Sequence, residues 1–181
     1  MGAPREPDPV KYFAALLYSD AGLFEAVARE LETIFGCVEA VSEPLPWNVS
    51  TYYEREMGPN LVRRFVSFAP LGSPDRLAGF KLSAQVIEER HGELRDGIVR
   101  RRVNVDPGYL EAGKIVLAST KNAGHRVYLG SGIFAEATLI YRGGAFQPQP
   151  HTYRDYAWAP TLAFFAAVRA AYLKQLRERK R

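Results

Sequence analysis

Two carboxylates within residues 104–136 lie among residue types that can bind anions or move protons. Asp106 follows Asn104 by two positions, so both side chains fall on one face of an extended strand. Glu136 interrupts the apolar pattern of residues 133–142, where a carboxylate needs a partner or access to water because an unpaired buried charge is costly. A carboxylate there can take a proton or bind a cation. Asp106 and Glu136 are therefore predicted as acid–base residues and as the ligands of a divalent metal, should one be bound.

Cationic and polar side chains lie between these two carboxylates along the chain. Lysine acts on a phosphate as a point charge and arginine as a fork of donors, while histidine can carry a proton near neutral pH. His125 is therefore predicted as a third acid–base residue. An ordinary polar loop explains the same residue types equally well, because Ser, Thr and Asn are common in turns. The predicted ligand-binding residues are Asn104, Tyr109, Lys114, Ser119, Lys121 and Arg126.

A glycine motif in the same stretch resembles a phosphate-binding loop. Gly108 and Gly113-Lys114 match the spacing G-x-x-x-x-G-K, but Ile115 stands where that loop needs a hydroxyl for magnesium. The residues after Lys114 are short and β-branched, which favours a strand over the required helix. The match is therefore interpreted as a coincidence. Asp106-Pro107-Gly108-Tyr109 instead predicts a type II turn, with Pro and Gly at its central positions.

Composition and charge limit the class of protein. The chain has 181 residues, of which 47% are hydrophobic and 24% charged, as in globular domains. Cys37 is the only cysteine, which excludes intramolecular disulfides and a thiolate metal cluster. The absence of a recognisable signal peptide or membrane span predicts a cytoplasmic protein that does not interact with a membrane. The net charge of +4 is concentrated in residues 100–130 and 169–181, segments that can attract phosphates on small molecules or nucleic acids.

Hydrophobic periodicity and capping residues predict the elements that position these side chains. The predicted strands cover residues 13–18, 38–41, 61–68, 98–106, 114–118, 126–129, 133–142 and 145–147. The predicted helices begin after Asp20, Ser73 and Pro160. This order predicts an α+β fold with a ferredoxin-like βαββαβ core and an antiparallel sheet, extended by a C-terminal β-hairpin and a final helix. Residues 1–181 are expected to form a single domain with flexible ends at residues 1–9 and about 177–181.

Seven blocks of residues, in matching order over nearly the whole chain, resemble one family. The blocks are Ser42-Glu43-Pro44; Tyr52-Tyr53 with Glu56-Met57-Gly58; residues 104–109; residues 114–119 with Lys121; residues 125–129; residues 132–136; and Thr152-Tyr153 with Asp155-Tyr156. Together they resemble domain-of-unknown-function family 4416 of bacteria and archaea. The resemblance implies no established activity. The family typically has Trp before Thr-Tyr-Pro-Asp-Tyr, where this chain has His151 and Arg154, so His151 is a weak catalytic candidate.

These residues predict a polar pocket for a phosphorylated or otherwise anionic small molecule, with nucleotide-like ligands and a divalent metal among the candidates. Glu56 is an additional candidate for holding metal or acting as a base. The alternative is a non-enzymatic RNA- or ribonucleoprotein-binding module that uses the two basic segments. The familiar enzyme motifs are absent from the sequence, so it does not decide whether the protein is an enzyme.

Overall fold

A computed structural model describes residues 2–95 and 97–179, and strands and helices are interleaved along this part of the chain. The strands are β1 (Val10–Tyr18), β2 (Val38–Val41), β3 (Leu45–Pro46), β4 (Val62–Gly72), β5 (Glu93–Arg95), β6 (Ile98–Arg100), β7 (Val103–Leu110), β8 (Lys114–Ser119), β9 (Val127–Gly130), β10 (Ile133–Arg142) and β11 (Ala145–Pro148). The helices are α1 (Ala21–Phe35), α2 (Glu54–Met57), α3 (Leu77–Arg90) and α4 (Ala159–Arg179), with 3-10 helices at Pro74–Arg76 and Arg154–Ala157. The predicted α+β class is therefore confirmed.

One large antiparallel sheet has the strand order β11-β10-β8-β7-β1-β4-β2. β3 also pairs with β4 and β9 with β10, while β5 and β6 form a separate two-stranded ribbon. β1 pairs with both β4 and β7, and every one of its residues is buried. Its nearly continuous apolar sequence suits such a strand, because both of its faces are covered.

Two hydrophobic layers cover the two faces of the central strands. On one face α1 and α3 pack, with Val27 and Ala84 completely buried against the sheet. On the other face α4 packs, with Phe165 buried against Phe13 and Phe65. The sheet therefore presents no open aromatic face over these strands. The nucleic-acid alternative then depends on the basic segments alone, and it stays a prediction.

The start of α1 follows from local sequence signals, whereas the start of α3 differs from its prediction. The Asp20 carboxylate accepts a hydrogen bond from the Gly22 amide at 2.8 Å, and Gly36 ends α1 with φ of 88°. Ser73 was predicted to cap α3, but its side chain makes no capping hydrogen bond. A 3-10 turn precedes α3 instead, and the Ser73 carbonyl accepts the hydroxyl of Tyr12.

The predicted single strand over residues 98–106 is wrong. Residues 98–100 form β6 in the ribbon with β5, and β7 begins only at Val103. The predicted type II turn at Asp106-Pro107-Gly108-Tyr109 is also wrong, because β7 continues through it to Leu110. Gly108 is needed for close packing: a Cβ there would lie 2.4 Å from the Phe13 ring and 2.5 Å from the Val116 carbonyl oxygen.

β7 and β8 separate after a short paired stretch. Residues 108–110 of β7 pair with residues 115–117 of β8. Among the described residues, this pairing ends at Gly108 and Leu117. Two side chains of α3 replace the missing strand for Val105: Lys81 donates to its carbonyl at 2.8 Å, and Glu88 accepts from its amide at 2.6 Å. Pro107, two residues after Val105, has no N–H group, so it leaves no unsatisfied donor on the edge of β7 that lacks a partner strand. The gap between the strands is therefore built into the sequence.

The ends of the chain are described in part. Regular structure begins at Val10, after the residues 2–9 that were expected to be flexible. α4 continues as a helix to Arg179, and the remainder of the predicted flexible C-terminal end, residues 180–181, lies outside the described residues. Over the described part of the chain, none of the helices combines the length and the apolar character that crossing a bilayer requires.

Candidate functional site

A cavity of about 430 Å³ opens where β7 and β8 separate. This volume is within the usual range for small-molecule sites, about 300–1,000 Å³. Its walls come from β4, α3, β7, the end of β8, the segment after β3 and the turn before α4. The charged lining residues are Arg63, Lys81, Glu88, Arg101, Asp106, Lys121 and Asp155. The uncharged ones include Trp47, Tyr52, Tyr53, Asn104, Ser119, Tyr153 and Tyr156.

A buried ion pair forms one wall of the cavity. The Arg63 guanidinium Nε lies 2.9 Å from Oδ2 of Asp155, and the two residues are 4% and 1% exposed. Burial alone would lower the pKa of Arg63, but the carboxylates of Asp155 and Asp106 raise it. Burial raises the pKa of Asp155, against the effect of Arg63. The arginine is therefore held in its charged form.

Polar atoms of this wall remain without hydrogen-bond partners. The ion pair has a short distance but lacks hydrogen-bond geometry, and Nε and Nη1 of Arg63, Oδ2 of Asp155 and the hydroxyl of Tyr156 have no partner in the described protein. Buried polar atoms are nearly always satisfied, and a group of exceptions needs an explanation. These atoms have almost no accessible surface, so they face the interior of the protein and not the cavity.

A second charged group connects α3 to β7. Lys81 Nζ lies 2.9 Å from Asp106 Oδ1, and Asn104 donates to Asp106 Oδ2 at 2.6 Å. Burial alone would raise the pKa of Asp106, but Lys81 and Arg63, together with hydrogen bonds from Lys81 and Asn104, lower it. Asp106 is therefore an ionised acceptor with its protein partners in place, which does not favour the predicted role as a general base.

Arg101 extends this group to the short helix α2. Its side chain donates to both carboxylate oxygens of Glu56, at 3.0 and 2.7 Å, and to Asn104 Oδ1 at 2.9 Å. The hydrogen bonds from the Arg101 side chain lower the pKa of Glu56, with burial opposing them. Glu56 is thus used to hold Arg101 in place at the cavity.

Glu56→Gln is expected to reduce stability in a pH-dependent way. Because the folded state lowers the pKa of Glu56 below its ordinary value of 4.5, its stabilisation is fully present above that pH and is lost as the pH falls through the folded-state pKa. At pH 7 we expect a loss of about 1–2 kcal/mol in the free energy of unfolding, and a smaller loss near pH 3. Urea unfolding at both pH values measures it. Glu54→Gln, exposed on the same helix, is the control, and an equal loss at both pH values would contradict the assignment.

Aromatic rings and one lysine form the mouth of the cavity. Tyr52 packs edge-on against Tyr53, with ring centroids 5.0 Å apart, and Trp47 packs against Tyr53 at 5.9 Å. Lys121 Nζ lies 5.0 Å from the centroid of the Tyr52 ring. Among the described residues, Lys121 is the lining cation without a carboxylate within ion-pair distance.

Glu136 is at the centre of a neighbouring cluster. Its buried carboxylate accepts from Arg126 Nε at 2.8 Å, from His125 Nε2 at 3.1 Å and from the Thr138 hydroxyl at 3.0 Å. The ring of His151 stacks on that of His125 at 4.2 Å, and its Nε2 donates to the Ala137 carbonyl. Glu136 therefore has the partner that its position in an apolar strand required, and that partner is Arg126.

Arg126 joins this cluster to the cavity wall. It donates to the Ser119 hydroxyl at 2.8 Å, to the Lys121 carbonyl at 2.7 Å and to the Tyr153 hydroxyl at 2.7 Å, and all three of these residues line the cavity. One guanidinium thus fixes the end of β8 and the turn before α4 relative to Glu136.

The predicted site residues divide into three groups. Asn104, Asp106, Ser119 and Lys121 line the cavity. His125, Arg126 and Glu136 form the adjoining cluster. The other two, Tyr109 and Lys114, lie outside the cavity lining and the cluster. Tyr109 packs in the layer of α1 and α3, and Lys114 pairs with Glu111 on the surface.

The two carboxylates that were predicted as metal ligands, Asp106 and Glu136, lie in different groups of side chains. Asp106 contacts Lys81 and Asn104, whereas Glu136 contacts Arg126 and His125, so the two carboxylates belong to different groups. Within the described part of the chain, no three His, Cys, Asp or Glu side chains are grouped in a way that could hold a metal ion.

Several lining residues were missed in the sequence. Arg63 interrupts an apolar strand in the same way as Glu136, and that signal could have identified it. Lys81 and Glu88 lie on the buried side of α3, where apolar residues are expected. A charged residue at such a position is a signal that could have identified both. Asp155 belongs to a recognised block of the sequence but was given no role.

Comparison with known proteins gives a family but no activity. The family model described as "Domain of unknown function (DUF4416)" matches residues 8–172 of the chain. The search of curated proteins and the search of solved structures gave no match. The matched segment spans the cavity and the Glu136 cluster, and the chain belongs to the DUF4416 family.

Proposed function

We propose that the protein binds a small anionic molecule in the cavity between β7 and β8. The observation that carries the proposal is Lys121, a cation that lines the cavity and, among the described residues, has no carboxylate within ion-pair distance. This favours a site shaped for a ligand over a gap in packing.

The charge balance of the cavity favours an anion. Four cations and three carboxylates line it, and three of the cations are paired with carboxylates. Among the described residues, Lys121 provides the unpaired positive charge, and its backbone N–H donates to the Ser119 hydroxyl at 3.1 Å. Phosphate groups are bound by lysines and hydroxyls in this way. We therefore place the anionic group of the ligand at the mouth, beside Lys121.

The aromatic side chains favour a ligand that also contains a planar ring. Stacking on an aromatic side chain contributes about 1–3 kcal/mol for a nucleobase. Tyr52 offers such a surface beside Lys121, and Trp47 and Tyr53 line the same cavity. A nucleotide-like molecule combines both features.

The finer fold assignment is also a proposal. The order β7-β1-β4-β2, with α1 and α3 on one face, supports a ferredoxin-like βαββαβ core to which β8 to β11 and α4 are added. In this arrangement the cavity lies where the added strands leave the core.

Lys121→Ala is expected to weaken the binding of phosphate-containing molecules about three- to tenfold, because it removes the unpaired cation. The measurement is calorimetric titration with uridine 5′-monophosphate and ribose 5-phosphate at two salt concentrations. Salt should weaken binding to the wild type more than binding to the variant. Lys114→Ala, which removes a surface lysine outside the cavity, is the control and should bind like the wild type. If neither molecule nor inorganic phosphate binds or raises the melting temperature at millimolar concentration, the proposal is wrong.

A further inference from the structure

Asp106 presents an open carboxylate inside the cavity. Of the three carboxylates that line it in the described part of the chain, Glu88 and Asp155 have side chains that are 6% and 1% exposed, whereas that of Asp106 is 25% exposed. Burial is nevertheless the largest influence on the pKa of Asp106, so its open surface lies in a recess and not on the outside of the protein. A molecule in the cavity can therefore contact this carboxylate.

The carboxylate of Asp106 has acceptor capacity left for a ligand. The two oxygens of a carboxylate offer about four lone-pair sites. Among the described residues, the hydrogen-bond donors to Asp106 are Lys81, at 2.9 Å from Oδ1, and Asn104, at 2.6 Å from Oδ2. Each oxygen thus has one protein donor and can accept one more hydrogen bond. A ligand that uses both oxygens needs two donors close together.

The charges around Asp106 favour uncharged donors. Lys81 and Arg63 both lower the pKa of Asp106, which means that its carboxylate already lies close to two cations. An ammonium group of a ligand would be repelled by these cations. A hydroxyl donates a hydrogen bond without adding a charge. Two hydroxyls on adjacent carbon atoms supply the two neighbouring donors.

From these contacts we infer that Asp106 binds a vicinal pair of ligand hydroxyls, which makes the ligand a sugar phosphate or a ribonucleotide. This inference rests on the proposed function, which places the phosphate beside Lys121, and it names the part of the ligand that lies deeper in the cavity. Carboxylates bind ribose hydroxyls in the same way in dinucleotide-binding folds. A deoxy sugar lacks one of the two donors and should be discriminated against.

The first experiment compares ligands that differ by one hydroxyl. Uridine 5′-monophosphate has the 2′,3′-hydroxyl pair, and its 2′-deoxy and 3′-deoxy analogues each lack one member. We expect calorimetric titration with the wild type to show uridine 5′-monophosphate binding about tenfold more tightly than either analogue, because hydrogen bonds to a charged acceptor are strong. Ribose 5-phosphate and 2-deoxyribose 5-phosphate are the arms without a base and should differ in the same direction.

The second experiment removes the charge of Asp106. Asp106→Asn keeps the shape of the side chain, and its preference for uridine 5′-monophosphate over the 2′-deoxy analogue should fall from about tenfold to about twofold. Inorganic phosphate should bind no more weakly than to the wild type, because a negative charge has left the cavity. Glu111→Gln is the matched control: Glu111 pairs with Lys114 outside the cavity lining, so this variant should keep the tenfold preference.

The outcomes separate the inference from the proposed function. Equal affinities of the wild type for uridine 5′-monophosphate and both deoxy analogues would overturn the hydroxyl inference and leave anion binding intact. An Asp106→Asn protein that keeps the tenfold preference, or that loses affinity for uridine 5′-monophosphate and inorganic phosphate equally, would also overturn it. The ligand comparison uses the wild type, so it decides the inference even if Asp106→Asn does not fold. Failure of all these molecules to bind the wild type would overturn both.

Discussion

Arg63→Met is expected to lower the free energy of unfolding by about 3–5 kcal/mol at pH 7, because it leaves the carboxylate of Asp155 buried without its cation. Methionine retains most of the apolar stem of the arginine, so little of the loss comes from packing. The loss should shrink as the pH falls. Without Arg63 the pKa of Asp155 is raised further by burial, and a raised pKa gives stability that is present at low pH and lost as the pH rises.

Urea unfolding at pH 7 and pH 5 measures this effect. Arg64→Met is the matched control on the adjacent position of β4, where the side chain donates to the Ser42 carbonyl and lies over the Phe24 ring. It should cost about 1–2 kcal/mol, with little dependence on pH. Arg63→Met combined with Asp155→Leu should recover much of the loss, because a buried apolar pair has no charge to desolvate. An Arg63→Met protein as stable as Arg64→Met would show that the ion pair is not buried in solution.

Local sequence signals predicted the elements whose boundaries depend on neighbouring residues. Asp20 and Gly36 set the ends of α1 through a side-chain cap and a positive φ. Both effects act within a few residues, so the sequence around them was sufficient. The apolar run of β1 likewise indicated a strand covered on both faces.

The separation of β7 from β8 could not be predicted in this way. Pro107 and Gly108 are typical turn residues, but here they serve a strand that lacks a partner on one side and packs tightly against Phe13. The deciding contacts come from Lys81 and Glu88 on α3, which are 24 and 17 positions away from Val105. Periodicity within β7 contains no information about them.

The site was predicted in part for a related reason. Charged residues at buried positions are a local signal, and this signal identified Glu136. The pairing of these charges is not local: Arg63 and Asp155 are paired across about half of the chain length, and Asp106 pairs with Lys81 and not with Glu136. Asp106 and Glu136, which were predicted to act in one site, therefore lie in two separate ion-pair groups. The side chain of Arg126 connects the Glu136 group to the cavity wall.

Glu136→Gln is expected to cost about 3–5 kcal/mol, because Arg126, whose side chain is 6% exposed, would lose the charge that compensates it. The glutamine has the same shape, so the loss reports charge and hydrogen bonding and not a cavity. Thr138→Val is the matched control: it removes only the hydroxyl that donates to Glu136 and should cost about 1 kcal/mol. Urea unfolding measures both variants. A cost for Glu136→Gln no larger than that for Thr138→Val would contradict the buried pair.

The same substitution should also affect the cavity, and this separates a local role of Arg126 from general stability. Arg126 holds Ser119, Lys121 and Tyr153 in place, so its release in Glu136→Gln should loosen the mouth and weaken the binding of uridine 5′-monophosphate. Binding is measured by calorimetry at a temperature where the variant is fully folded by circular dichroism, and we expect a fall of about tenfold. Thr138→Val leaves the pair of Glu136 with Arg126 in place and should bind like the wild type. Unchanged affinity in Glu136→Gln would mean that the cavity wall is held by other contacts, such as those of β8 with β10.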